Sequence, residues 1–503
     1  MGKVSMRKRV MAVSMTAVMA ASMLAGCGGS STASNVSVKQ ESTPAASADV
    51  TESSASAGST ASSSDASASG STTDGGYVVE KDANGNPIDL GGMEIIVRDW
   101  WSPEEEAEPA NEYEEARQEY HEWLEKTYNF KLKSQAISDW GSAPQDFVDY
   151  VTAGDDGNNY VFTLRNDPAL TAAMKSGLCF DLATLDCLDF STPQFQKNRT
   201  HEMYTYGDHV YGCASGDPEP RGGMFFNKRL LEEAGIDPES IYDMQKEGTW
   251  TWDAWKGIMD KVQRDVDNDG VIDIYGTTQN NGNLVNECVW SNGGSYIGKD
   301  ADGKFVYRLE DPETVEGLQF ALDCLNNYSA TYGEDAQWDA YKEGFLNGKA
   351  VFLPDDAYNG TPGNMLQDMK DDFGFVCFPK GPKAKDYVNC WSNNPIVIPG
   401  CYDKDKAWKL AFAWRVWNSD VPGYENYEGW KSNYYSGMRD TRSVDETLEI
   451  LRTHGMIDYS GVVPNVSVGS DFVWSVAPGA DLTSVIEGIR DTWKTYIDDA
   501  NKG

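Results

Sequence analysis

Beyond residue 76 the chain alternates short apolar runs with stretches in which apolar residues return every three or four positions, the pattern of strands feeding amphipathic helices. Met93-Glu94-Ile95-Ile96-Val97-Arg98 follows the break at Gly91-Gly92 and predicts a strand, with a polar, helix-prone stretch at 114–126 after it. A second strand is expected over 160–164. Asn227 stands where it can cap a helix through Leu230, Leu231 and Ala234 that stops at Gly235, where the missing Cβ permits a left-handed turn. Asp311-Pro312 opens a further helix with Val315, Leu318, Leu322 and Leu325 along one face. Strand, helix and strand repeated in this way predict α/β lobes with largely parallel central strands.

The first 76 residues follow a different pattern. Lys3, Arg7, Lys8 and Arg9 precede a mainly apolar run over 10–24 that is too short to remain as a spanning helix. Leu24-Ala25-Gly26-Cys27 then reads as a lipoprotein export signal. Residues 1–26 are the expected signal peptide, and Cys27 the lipidated start of the mature chain. Residues 27–76, rich in Ser, Ala, Thr and Gly, cannot bury enough apolar surface to offset their ordering entropy and read as a disordered tether. The expected location is extracytoplasmic, lipid-anchored to the outer face of a bacterial cell membrane. The remaining body is too long for one small core and suits two lobes.

Charge narrows the partners. The formal net charge is −37, and −41 once the four basic residues of the signal are gone. Such a surface repels nucleic acid and anionic lipid, so attachment to the membrane rests on the lipid. Besides Cys27 there are Cys179, Cys187, Cys213, Cys288, Cys324, Cys377, Cys390 and Cys401. Their scatter, and apolar settings such as Phe375-Val376-Cys377-Phe378, favour mostly buried free thiols over a disulfide scaffold. There is no Cys-x-x-Cys pair, and His121, His201, His209 and His454 have no metal-ligand spacing. The absence of a Gly-x-Ser-x-Gly elbow, a P-loop, a His-Glu-x-x-His motif and a dinucleotide fingerprint argues against an enzyme and against redox or nucleotide cofactors.

The segments Phe225-Phe226-Asn227-Lys228-Arg229-Leu230-Leu231-Glu232-Glu233-Ala234-Gly235-Ile236 and Gly248-Thr249-Trp250-Thr251-Trp252-Asp253-Ala254-Trp255 resemble the signature of the family 1 extracellular solute-binding proteins of ABC importers, the group that includes maltose-binding protein. Asp208-His209-Val210-Tyr211-Gly212, Phe345-Leu346-Asn347-Gly348-Lys349-Ala350-Val351-Phe352, Gly374 to Pro382, Ile396-Val397-Ile398-Pro399 and a helix over 406–417 agree in order, so the resemblance covers nearly the whole body. It implies an α/β, two-lobed periplasmic-binding-protein-like (type II) fold with hinge crossovers and an interlobe ligand cleft. By family analogy the first lobe takes 77–207 plus 333–385 and the second 208–332 plus 386–503. It also implies a monomer that captures a carbohydrate, an oligosaccharide, and delivers it to ABC transporter permease subunits. Peptides or polyol-like compounds are the alternative solutes. A surface carbohydrate-active enzyme and a sensory binding protein are the competing classes.

A sugar site needs aromatic rings for C–H faces and planar polar groups for hydroxyls. Trp100 and Trp101 after the first strand, Trp140, and Arg165, Asn166 and Asp167 after the 160–164 strand are candidates. So are Asn286 and Trp290 before Gly293-Gly294, Asp355 and Tyr358, Trp391 and Asn393, and Tyr434 and Arg439. Trp252, Trp255, Trp408, Trp414 and Trp417 fall at core spacing in helices and are assigned to packing. Asp265, Asp267, Asp269 and Asp273 with Gly270 and the Val271 carbonyl have the spacing of a calcium loop, a structural Ca2+ site that lacks the glutamate at position twelve, where Gly276 stands. Asp300-Ala301-Asp302-Gly303 reads as a hairpin turn.

Overall fold

In a computed structural model the described residues are 72–74, 76–103, 108–109, 111–166, 168–330, 332, 337, 340–391 and 394–502. The signal peptide, Cys27, the tether, Asp167 and Asn393 lie outside them. In chain order the elements that build the site are β1 (Met93–Asp99), α1 (Glu112–Tyr128), β2 (Phe130–Ala136), α2 (Ala143–Ala153), β3 (Tyr160–Thr163) and α3 (Pro168–Lys175). They continue with β4 (Gly222–Asn227), α4 (Lys228–Glu233), α5 (Trp252–Val262), β5 (Tyr275–Thr277), α6 (Asn281–Trp290), β6 (Ile297–Lys299), β7 (Phe305–Tyr307) and α7 (Pro312–Asn327). The last are β8 (Ala350–Asp356), β9 (Phe373–Val376), β10 (Ile396–Val397), α8 (Lys404–Trp417), α9 (Lys431–Gly437), α10 (Glu449–Thr453) and α11 (Leu482–Ala500).

Two four-stranded sheets organise the body. In the first, β1 lies between β2 and β3, parallel to both, and β10 closes the edge antiparallel to β3 with Ile396 opposite Thr163. In the second, β4 pairs antiparallel with β8 and β9, and only β5 and β8 run parallel. The expectation of largely parallel strands therefore holds for the first sheet and fails for the second. β4 is buried at every position, and Gly223 lets it lie flat: a Cβ there would come within 2.3 Å of the Phe375 ring.

The lobes exchange segments relative to the family analogy. β8 and β9 belong with β4 and β5 in the second lobe, although 333–385 was expected in the first. β10 and α8 belong to the first lobe, although 386–503 was expected entirely in the second; from α9 onward the chain does return there. The physical reason is edge pairing: the Ala350–Leu353 stretch of β8 is apolar and buried, and the strand's two hydrogen-bonding edges are taken by β4 and β5.

Alternation along the strands sends side chains to two different cores. Ile95, Val97, Leu132 and Val161 meet Leu124 and Tyr128 of α1 and Leu410 and Phe412 of α8. Phe162, one residue on, faces the other way towards Phe147 of α2 and Leu170 of α3, in a core that continues into the second lobe around Phe225, Trp250 and Phe352. The caps behave as expected: the Asn227 side chain accepts from Leu230 N–H, and Gly235 is left-handed at φ 73°. The hairpin expected at 300–303 joins β6 to β7. All eight described cysteines are unpaired, five of them buried. No helix among the described residues is long and apolar enough to cross a membrane.

Candidate functional site

The end of β1 sets the first aromatic in place. Asp99 is buried, and its carboxylate accepts the backbone N–H groups of Trp101 (3.2 Å) and Ser102 (3.0 Å) and the Ser102 hydroxyl (2.5 Å). This turn bends the chain away from the sheet. The Trp101 ring is left 56% exposed, edge-on to half-buried Trp100 with centroids 4.8 Å apart. Asp99, Trp101 and Thr163 at the end of β3 line a cleft of about 1040 Å³. Strand ends of open α/β sheets are where such clefts form, and this one has room for a ligand larger than a monosaccharide.

Both lobes contribute to its walls. From the first come Arg117 and His121 of α1 and Trp414 and Trp417 of α8; from the second come Trp430, Tyr434 and Arg452; the crossover 214–220 runs between. Tyr434 meets Trp430 edge-on at 6.0 Å, and the Arg452 guanidinium lies 4.0 Å from the Trp430 ring centroid. Arg452 is held by Asp217 at 2.7 Å, and Asp217 is also approached by Lys197 of the first lobe at 3.5 Å. His121 donates from Nε2 to the Trp417 carbonyl at 3.1 Å and stacks on its ring at 3.7 Å; burial first, then Arg117, pushes its pKa down to about 4, so it stands neutral.

The charge of the lining is one-sided. Asp99, Glu114, Glu122, Glu125, Asp217 and Glu219 oppose Arg117 and Arg452. Behind the Tyr434 wall, Arg221 pairs with Glu219 at 2.9 Å and with Asp356 at 3.9 Å. Next along β8, Asp355 is 7% exposed; its Oδ1 accepts from Asn283 (3.2 Å) and from the Asp356 N–H (2.8 Å), and the Tyr341 side chain also hydrogen-bonds its carboxyl. Glu287 of α6 is 6% exposed, and its Oε2 has no hydrogen-bond partner among the described residues. Its carboxyl fills the space over Gly222, where a Cβ would come within 1.9 Å of Oε1, and Gly222 lies opposite Asp356 in the β4–β8 register. Burial first, then the neighbouring Asp356 charge, pushes Asp355 up to about 7 and Glu287 up to about 8.

Of the residues expected from sequence, Trp101 and Tyr434 reach the cleft together. Tyr358 is 42% exposed beside the Asp355–Asp356 corner, and Trp100 backs Trp101. Trp140 and Arg165 pair with each other: the guanidinium lies 4.3 Å from the ring centroid and Nε donates to the Trp140 carbonyl at 3.0 Å, with Asn166 on the following turn. Four others do not line this cleft and have partners within the protein. Asn286 accepts from the Tyr296 hydroxyl (2.8 Å), and Trp290 donates to buried Asp458 (3.2 Å). Trp391 donates to the Leu451 carbonyl (3.2 Å) with its ring against Gly455, and Arg439 clamps the Met369 carbonyl (3.1 Å). Trp414 and Trp417, assigned to packing, line the cleft as well as packing on the core. Trp430, Arg452, Asp217 and Glu219 were missed; the acids alternating with prolines in Asp217-Pro218-Glu219-Pro220 are the one local signal that marks them.

The acidic loop after α5 folds on itself. Carboxylate oxygens of Asp265, Asp267 and Asp269 lie within 4.8 Å of one another. Asp265 accepts from the N–H groups of Asn268 (2.7 Å) and Gly270 (2.8 Å), with Asn268 and Gly270 at positive φ, and Asp273 accepts from Val266 (2.7 Å).

Comparison with known proteins finds a family model that matches part of the chain. Residues 214–412 match the bacterial extracellular solute-binding proteins, and this stretch contains both 225–236 and 248–255, whose motifs carry the resemblance in the sequence. Among solved structures, the GacH receptor of Streptomyces glaucescens, unliganded and in complex with acarbose, is 14% identical over 81% of this chain and 99% of its own, with a TM-score of 0.51. UgpB of Mycobacterium tuberculosis in complex with glycerophosphocholine is 16% identical over 76% of this chain and 95% of its own, also at 0.51. A cyclo/maltodextrin-binding protein complexed with maltotetraose is 14% identical over 81% and 95%, at 0.50. At such identities the likeness is one of fold, and it bears out the two-lobed α/β architecture.

Proposed function

We propose that this chain, whose residues 214–412 match the bacterial extracellular solute-binding proteins, captures a carbohydrate in the cleft between its lobes and hands it to the permease of an ABC transporter. The observation that carries the reading is the facing of aromatics and planar polar groups across one cleft: Trp101, presented by the Asp99 turn, on one lobe, and Trp430, Tyr434 and Arg452 on the other. Rings take the C–H faces of a sugar, and carboxylates and guanidinium groups share its hydroxyls. Closure brings both sets onto the ligand by hinge motion of the crossovers. The solved structures with acarbose and with maltotetraose support this choice. The one with glycerophosphocholine points to a phosphodiester, which the six carboxylates of this cleft disfavour.

Binding and release proceed without covalent change, as a monomer held at the outer membrane face by a lipid on Cys27. The loop 265–273 binds calcium as a structural ion, an assignment supported by the converging carboxylates and the two left-handed residues that wrap them.

A thermal-shift screen of the full chain against mono- and oligosaccharides, with chromatography of each mixture, tests the reading. A ligand bound only by the folded state raises the midpoint by mass action. One glycan that raises the midpoint and is recovered intact is the expected result. Cleaved glycan would move the protein to the carbohydrate-active enzymes, and no shift with any sugar would end the carbohydrate reading.

A further inference from the structure

The cleft does not end between the lobes. The second lobe supplies Trp430, Tyr434 and Arg452, whereas the first-lobe lining runs on along one side of α1 as far as Glu125 and reaches Leu132 and Ser134 of the edge strand β2. Glu114, Arg117, Gln118, His121, Glu122 and Glu125 return every three or four positions and therefore form one stripe on the helix. From its first residue to its last the stripe is roughly 16 Å long, at about 1.5 Å per residue. Its groups are planar and held in place. The Gln118 side-chain amide donates to the Glu122 carboxylate at 3.2 Å, and Glu125 accepts the Leu132 N–H at 3.3 Å while pairing with Lys131, which fixes α1 against β2. His121, neutral and donating from Nε2 to the Trp417 carbonyl, keeps Nδ1 as an acceptor, and Trp417, stacked on the imidazole, brings an aromatic ring to the same wall. Gln118 and Glu122 are exposed, so this arm of the cleft is open to solvent along its side.

Resting on the carbohydrate reading above, we propose that the solute is a neutral, linear glycan of several units bound along its chain, one part held between Trp101 and the second-lobe rings and the following units laid along the α1 stripe. A compact solute has use for one set of polar groups. A chain that presents hydroxyls at every unit can meet a helix that presents an amide, an imidazole or a carboxylate at every turn, about 5.4 Å apart. The carboxylates of the stripe accept from hydroxyls and repel uronate-bearing or phosphorylated chains. The open side of the arm admits such a chain by its middle as well as by its end. Because α1 and β2 belong to one lobe, contacts made there form before closure and are kept through it, so the arm sets the length of glycan selected without altering the hinge.

The test is calorimetric titration of the full chain with maltooligosaccharides, cellooligosaccharides and mannooligosaccharides, each as a length series from disaccharide to octasaccharide. In the series that binds, affinity should keep rising with length, by about ten-fold or more from trisaccharide to hexasaccharide. Gln118→Ala and Glu122→Ala, at exposed helical positions that accept alanine, should lower the ratio of hexasaccharide to trisaccharide affinity. Trp430→Ala, between the lobes, should weaken both lengths alike and leave that ratio where it was. An affinity that levels off at the trisaccharide, or α1 variants whose ratio equals that of the parent, overturns the proposal and leaves the carbohydrate reading standing. Binding by no member of any series removes both.

Discussion

Glu287 keeps a proton at neutral pH because ionising it inside the second lobe, within reach of Asp356, is costlier than in the unfolded chain. Below its ordinary value of 4.5 both states hold the proton; between there and about 8 only the folded state does, so stability falls as pH rises through that window and levels off above it. Glu287→Gln, which cannot ionise, should flatten this fall and melt higher than the parent at pH 8.5, by an amount on the order of 4 kcal/mol. Thermal melts from pH 4 to 8.5 on both proteins check it, and parallel curves would mean the carboxyl ionises freely. Two tryptophans that look alike in sequence should behave oppositely. Trp101→Ala should weaken sugar binding by roughly five-fold or more with an unchanged melting midpoint. Trp391→Ala, emptying a site packed on Gly455, should cost about 3–5 kcal/mol of folding stability as read by denaturant unfolding. Both follow an apolar or polar loop stretch in the sequence, and only the third dimension distinguishes a ring propped outward by Asp99 from one pinned by the Leu451 carbonyl.

At the scale of elements, local signals are legible in the sequence and strand partners are not. Asn227, Gly235 and Pro312 act over three or four residues, and the helices they punctuate, Lys228–Glu233 and Pro312–Asn327, follow the expectation closely. Strand direction depends on which distant segment lies alongside, so the antiparallel pairings of β4 could not be read from β4 itself. The loop 265–273 lies between these cases: its spacing is local, its closure is geometric, and its ion is a matter for measurement. Calcium should raise the melting midpoint of the parent chain, a chelator should reverse the gain, and Asp265→Asn should abolish it, since Asp265 both converges with Asp267 and Asp269 and ties the Asn268 and Gly270 amides. Equal midpoints with calcium and with chelator would leave the loop an acidic turn.

For the whole molecule, two lobes and a cleft between them were foreseeable from length and motif order, while the ownership of the returning segments was not. Blocks in sequence order look as though they alternate between lobes, but β8, buried on both faces, goes where two edges accept it, and β10 goes to the open edge of β3. Asp217, on a crossover and shared by Lys197 and Arg452, ties the lobes at the hinge. Small-angle scattering of the full chain should show contraction on adding the sugar found by thermal shift, and an unchanged radius at saturation would count against closure.

The late return of β10 and α8 to the first sheet bears on how the protein is made. The strands Met93–Asp99 and Tyr160–Thr163 leave the ribosome early, yet the edge that completes them and the helix that covers Leu132 and Val161 are translated more than two hundred residues later. During most of its synthesis the polypeptide therefore owns no finished first lobe, and its topology postpones completion of that lobe until β10 and α8 have emerged.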